Sequence, residues 1–217
     1  MGYALAYSFI EHGATKVYAG ARDPNSISDP RLTPIKLDVT DIDDIKRSRE
    51  KAADTTILVN NAGVFRAASP LNALLNNARE EIEVNYLGAW SMAQAFTPII
   101  KQNGGGKIVN MLSVASWRAS TAMTGYAASK AAEWSMSNAL RVELRPQGIQ
   151  VIGAHCGFVD AESTKDIKAN KVSLDLLVQK VIEGIQENLD EVLVDAYTRK
   201  IKASLYDDQH LLYATTN

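Results

Sequence analysis

The segment from Gly104 to His155 limits the possible folds more than any other stretch of this chain. It opens on Gly104-Gly105-Gly106, which breaks any helix before it. Lys107-Ile108-Val109-Asn110-Met111-Leu112 follows, an apolar run of strand length. Residues 126–144 then read as helix, Ala-rich and free of proline until Pro146. Residues 149–154 form a second apolar strand. Strand, long helix and strand make a crossover between parallel neighbours, and such crossovers are right-handed. A parallel sheet built this way is buried on both faces.

The rest of the chain continues the alternation. Residues 3–12 read as a helix ending at Gly13, 16–21 as a short strand, and 24–34 as a loop rich in Pro, Ser and Asp. Residues 33–37 and 56–60 read as strands, on either side of a helix over 41–51 that Thr40 or Asp41 can cap. A long helical region spans 73–101, with Asn85 inside it. An amphipathic helix over 172–188 and a short strand over 191–194 come last. The expected fold class is α/β: a doubly wound parallel sheet with helices on both faces. No repeat, linker or low-complexity segment divides residues 1–217, so one domain is expected.

Composition excludes several classes. A length of 217 residues suits one domain that buries roughly 70% of its unfolded surface. Hydrophobic residues make up 46% and charged residues 22%, as in ordinary soluble proteins. A net charge of −2 provides no basic field for nucleic acid. No apolar run approaches the ~20 residues of a membrane span, so no membrane partner is expected. The single Cys156 rules out an internal disulfide and fits a reducing compartment. Met1-Gly2-Tyr3-Ala4 lacks the basic start of a signal peptide, which makes the cytoplasm the expected location. His12 and His210 have no metal-ligand spacing, and no metal is expected.

The chemistry centres on Thr124-Gly125-Tyr126-Ala127-Ala128-Ser129-Lys130. Tyr126 and Lys130 are four apart, on one face of the helix. A free phenol, with a pKa of about 10, is a poor base at neutral pH. A nearby cation favours the phenolate. Reaching ~7 takes ~3 units, or ~4 kcal/mol, within range of Lys130 plus a second positive group. Ser113 follows the 107–112 strand, where open α/β sheets bind ligands. It can hydrogen-bond the same oxygen that Tyr126 protonates.

Asn60-Asn61-Ala62-Gly63, Asn85, Ser113 and Tyr126-x-x-x-Lys130, in this order and spacing, resemble the short-chain dehydrogenase/reductase family over nearly the whole chain. The resemblance implies a Rossmann-like fold. It begins at Gly2, which matches the last glycine of the family's phosphate-binding turn. The family's first strand and most of that turn have no counterpart, and that strand would lie between the 16–21 and 56–60 strands. Without it, two strand edges are expected to stay unpaired. A truncated sequence or a misassigned start is expected, rather than a product that has lost its cofactor.

The resemblance also implies roles. Gly2, Asp38, Val39, Asn61, Ala62, Gly63, Tyr126, Lys130, Gly157 and Val159 would contact the cofactor. Asp38 would face the adenine, unless it is only a helix cap. Ala21 stands where NAD users carry an acid, and Arg22 follows it, so NADP is expected, with Arg22 on its 2′-phosphate. Cys156 and Ala161 replace the family's usual Pro and Thr; Ser163 or Thr164 are candidates for the lost hydroxyl. Tyr126 would be the general acid/base, Ser113 the oxygen's second partner, Lys130 the residue that acidifies Tyr126 and grips the ribose, and Asn85 the holder of a proton-relaying water.

A small-molecule carbonyl or alcohol substrate is expected, in a pocket lined by 114–123, Phe65-Arg66 and 158–171. Trp117, Met123 and Phe158 would make that pocket partly apolar. Ala127, Ala128, Ala131 and Ala132 would let helices pair in a homodimer or homotetramer. A non-catalytic nucleotide-binding or regulatory protein is the alternative. A sugar-nucleotide epimerase or dehydratase is disfavoured, because only about 50 residues follow the 158–171 loop.

Overall fold

A computed structural model describes residues 1–207 and 213, apart from the side chain of Ser163. His210 lies outside the described residues.

The sheet confirms the expected crossover. Strands β3 (Ile57–Asn60), β4 (Gly106–Met111), β5 (Ile149–His155) and β6 (Glu191–Leu193) lie side by side in that order, all parallel. Their side chains alternate between two buried faces. Val109, Met111, Ile152 and Ala154 pack with Leu5 of α1 (Gly2–Glu11) and with Leu177 and Val181 of α6 (Leu174–Gln186). Ile108, Ile149 and Val151 pack on the opposite face. They meet Ile45 of α2 (Ile42–Lys51), Phe96 and Ile100 of α4 (Ala89–Gln102), and Leu144 of α5 (Thr124–Leu144). Burial on both faces explains why these strands read as continuous apolar runs.

Strands β1 (Val17–Ala21) and β2 (Leu32–Lys36) form a separate parallel pair. Among the described residues, β1 bonds only to β2, and β3 only to β4. Among the described residues the sheet is therefore split between β1 and β3, and these two edges are unpaired, as expected. A cavity of about 780 Å³ fills the split. Tyr18 and Gly20 of β1, Leu58 of β3, Phe9 of α1 and Met92 and Phe96 of α4 line it.

Three elements depart from the sequence reading. The expected 73–101 helix starts later, as α3 (Leu75–Ile82), and widens into a π turn over Glu83–Gly88 before α4. The expected 172–188 helix begins at Leu174, because Val172 bridges to Val159 and the Ser173 hydroxyl accepts the Leu176 amide. Helix α7 (Ala196–Ala203) was not anticipated: only Thr198 and Ile201 are buried, so its apolar signal is weak. Asp41, not Asp38, caps α2, accepting the Asp43 and Asp44 amides.

Candidate active site

Parallel strands bring their carboxyl ends to one edge, and the candidate residues gather there. Ser113 comes just after β4 and Tyr126 and Lys130 lie in the first turns of α5. Lys130 is 5% exposed, and its Nζ donates to the Met111 carbonyl at 2.8 Å and to Glu133 Oε2 at 2.6 Å. Tyr126 is partly buried, with its ring edge-on to Phe65 at 5.3 Å. Burial raises the phenol's pKa, while the Lys130 charge and the Ser113 hydroxyl pull it down and Cys156 and Glu133 push it up again; the net direction is upward. Ser113 and Lys130 thus both act on Tyr126. The Ser113 hydroxyl also accepts the Ala115 amide at 3.1 Å.

The first turn of α5 depends on Gly125. A Cβ there would lie 2.2 Å from Glu81 Oε2 and 3.1 Å from Ala78. Glu81 is buried and its other oxygen accepts the Arg66 amide at 2.7 Å. Burial raises the Glu81 pKa. This carboxylate, which sequence reasoning missed, holds the loop carrying Phe65 and lies against the start of the helix carrying Tyr126.

Asn85 occupies the π turn and is fully buried. Its Oδ1 accepts the Val64 amide at 2.7 Å, and its Nδ2 donates to the Val64 carbonyl and to Ser129 Oγ, both at 2.9 Å. Both side-chain donors are therefore in use, and the side chain braces the β3 exit loop against α5. A second polar chain runs beneath it. Asn60 Nδ2 donates to Asn110 Oδ1 at 2.8 Å, Asn110 Nδ2 to Ser137 Oγ at 2.7 Å, and Ser137 Oγ to the Glu133 carbonyl at 2.7 Å. The apolar run around Asn110 hid this link.

Whether these residues fit a dinucleotide can be judged from the geometry. Helix α1 begins at Gly2 with no side-chain cap and no acid in its first turn. Its first internal bond runs from the Leu5 amide to the Met1 carbonyl, so the preceding amides have no partner within the helix. Such a terminus attracts anions. A Cβ on Gly2 would lie 2.8 Å from Asn61 Nδ2, and Asn61 Oδ1 is buried without a partner. Ala62 and Gly63 are exposed just past β3. Val39 packs on Gly88, where a Cβ would come within 2.7 Å of its Cγ2. The Thr40 hydroxyl and amide hold the Asp38 carboxyl below the usual range, with Arg22 and Lys36 adding positive charge. Arg22 is exposed, and Asp23 beside it accepts the Asn25 amide in a short turn. A close-approach glycine, an unpaired acceptor and a free helix terminus all fit the group.

The loop after β5 is held by another residue not anticipated. Asp195 caps α7 and accepts the Gly157 amide at 2.9 Å. Thr164 turns its hydroxyl onto the Val159 and Ala161 carbonyls, closing its own turn. Val159 is buried and bridges to Val172. Burial pushes the Cys156 thiol up to about 12, which leaves it protonated and inert.

Trp117 departs from the expected pocket. It is 9% exposed and stacks on His155 at 3.9 Å, with Trp134 edge-on at 6.2 Å and Lys202 4.7 Å from its ring. It belongs to the wall between β5, α5 and α7. Ala127 is buried within the chain, so it cannot serve a partner's helix; Ala128 is exposed. Among the described residues, no helix is long and apolar enough to cross a membrane.

A sequence profile of the short chain dehydrogenase family matches residues 1–172. The chain belongs to that family. A galactitol 2-dehydrogenase of Agrobacterium fabrum is 34% identical over 181 residues, 78% of this chain and 70% of that protein. An NADPH-dependent 1-acyldihydroxyacetone phosphate reductase of Schizosaccharomyces pombe is 33% identical over 171 residues, 75% of this chain and 57% of that protein. Among solved structures, a short chain dehydrogenase from Burkholderia cenocepacia in complex with NADP superposes with a TM-score of 0.94 at 36% identity, covering 98% of this chain and 91% of that one. The family membership and the Rossmann-like parallel sheet expected from the motifs hold.

Proposed function

We propose that this chain is an NADP(H)-dependent oxidoreductase acting on a carbonyl or alcohol, in the manner of a carbonyl reductase. The convergence of Ser113, Tyr126 and Lys130 at the sheet's carboxyl edge carries this reading. The bound nicotinamide supplies the hydride acceptor or donor. Tyr126 gives or takes the proton on the substrate oxygen. Ser113 donates to the same oxygen and orients it. Lys130 keeps positive charge beside the phenol and has one N–H left for a ribose hydroxyl. Asn85, with its side chain held by Val64 and Ser129, fixes the β3 exit loop; any water it relays would bind its backbone.

Gly2, Asn61, Ala62 and Gly63 would hold the pyrophosphate and neighbouring ribose, Asp38 and Val39 the adenine, and Gly157 and Val159 the carboxamide side. Arg22, exposed near Asp38 with Asp23 occupied in its own turn, supports NADP over NAD. Phe65, Met123 and Phe158 favour a partly apolar substrate. Pairing of two or four copies through α4 and α5, and a cytoplasmic location, belong to the same reading.

A screen of aldehydes, ketones and quinones tests the proposal, with NADPH and NADH titrated by fluorescence in parallel. Tyr126→Phe should lose turnover yet bind NADPH as the unmodified protein does. Near-normal turnover in that variant, or tighter binding of NADH, would refute the respective assignment. Binding without turnover of any carbonyl would favour the non-catalytic alternative.

A further inference from the structure

Lys130 is not alone with Tyr126. One turn further along α5, Glu133 is 1% exposed and accepts from Lys130 Nζ at 2.6 Å. The Met111 carbonyl takes a second ammonium proton. The backbone carbonyl of Glu133 accepts from Ser137, which in turn is held by Asn110 and, through it, Asn60, so this turn of α5 is anchored to β4 and β3. Carboxylate, ammonium and phenol thus lie in sequence along one buried helix face.

We infer that Glu133 is the counter-charge of Lys130 and sets how much of that charge Tyr126 feels, acting as a positioning residue through Lys130 without touching substrate. The inference rests on Tyr126 being the proton-transfer group. Its logic is electrostatic. An ionised Glu133 offsets the ammonium and weakens the field favouring the phenolate; a neutral Glu133 leaves that field whole. Burial raises the Glu133 carboxyl to about 7, against the pull of Lys130. Burial works against the Lys130 charge, but Glu133 and Tyr126 outweigh it and the ammonium persists. The other groups acting here are Cys156 at the end of β5, whose thiol stays protonated, and Ser113 after β4. Asp195, ahead of α7, acts on Cys156. Glu81 of α3 meets the helix start at Gly125. The balance at Tyr126 therefore shifts near neutral pH, where Glu133 changes charge.

The test is a titration of tyrosine labelled with 13C at Cζ, followed by NMR without nucleotide, with Tyr126→Phe identifying the resonance. In Glu133→Gln, the Tyr126 midpoint should fall by about one pH unit, the usual effect of an unmasked neighbouring charge. Glu133→Asp keeps the charge and should shift the midpoint less. An unchanged or raised midpoint in Glu133→Gln, or equal shifts in both variants, would overturn the inference. The unmodified protein gives a check free of folding effects: labelled Glu133 should titrate near neutrality, with a small step in the Tyr126 resonance at the same pH. A Glu133 transition with no step at Tyr126 would also overturn it. Because no turnover is measured, an absence of reductase activity would leave this readout intact and count only against the proposed function.

Discussion

Replacing Asn85 by Ala removes three hydrogen bonds at once, one fully buried and two part-buried. They are the Val64 amide to Oδ1 at 2.7 Å and the two Nδ2 bonds, to the Val64 carbonyl and Ser129 Oγ, at 2.9 Å. A polar group left buried and unpaired costs roughly 1–3 kcal/mol. Ser129 is fully buried but keeps its bond to the Tyr126 carbonyl at 2.7 Å. Val64 is only partly buried, so water can recover part of its loss. The expected loss is therefore about 2–4 kcal/mol rather than three full penalties. For a chain of this size each kcal/mol lowers Tm by about 2–4 °C, so the drop should be on the order of 10 °C. Urea unfolding of Asn85→Ala and Asn85→Asp measures it. The Asp variant keeps the acceptor for the Val64 amide but turns a second acceptor onto the Val64 carbonyl in a fully buried site, so it should lose at least as much stability as the Ala variant. A loss under about 1 kcal/mol in Asn85→Ala, with an unchanged m value, would refute the brace and return Asn85 to a purely catalytic role.

Gly125→Ala drives a methyl into Glu81 and should destabilise the chain by about 1–3 kcal/mol while weakening turnover, since the first turn of α5 must shift; unfolding and kinetics together check it. His155, fully buried against Trp117, has its pKa pushed down to about 4 by burial. The unfolded chain takes up that proton near pH 6.5 and the folded chain only near 4, so stability falls as pH drops through this window, by about 3 kcal/mol in all. Thermal melts of His155→Gln over pH 4–7 should show a shallower slope than the unmodified protein, and an identical slope would count against the assignment. Hydrogen exchange should be faster in β1 than in β4 and β5, because β1 has one free edge on the cavity; equal protection would contradict the split sheet.

The strands and helices were legible wherever a local period carried them. Ile108, Val109, Ile149 and Val151 announced a sheet buried on both faces, and the 113, 126 and 130 spacing announced that these three side chains lie near the same edge of the sheet. Short α7 was not legible, because two buried side chains give no period. Nor was the π turn, since an extra residue in a helix leaves no mark that distinguishes it from an ordinary turn.

What the sequence determined by itself was the alternation and the order of the motifs. Both depend on near neighbours along the chain. Only the tertiary structure decided what each polar side chain does. Asn85 holds Val64 across 21 residues, Trp117 covers His155 across 38, and Glu133 becomes a buried counter-ion instead of a solvated helix-surface acid. Desolvation is the physical reason: a group's charge and partners depend on whatever excludes water from it, and in this fold those atoms come from strands and helices far away in the chain.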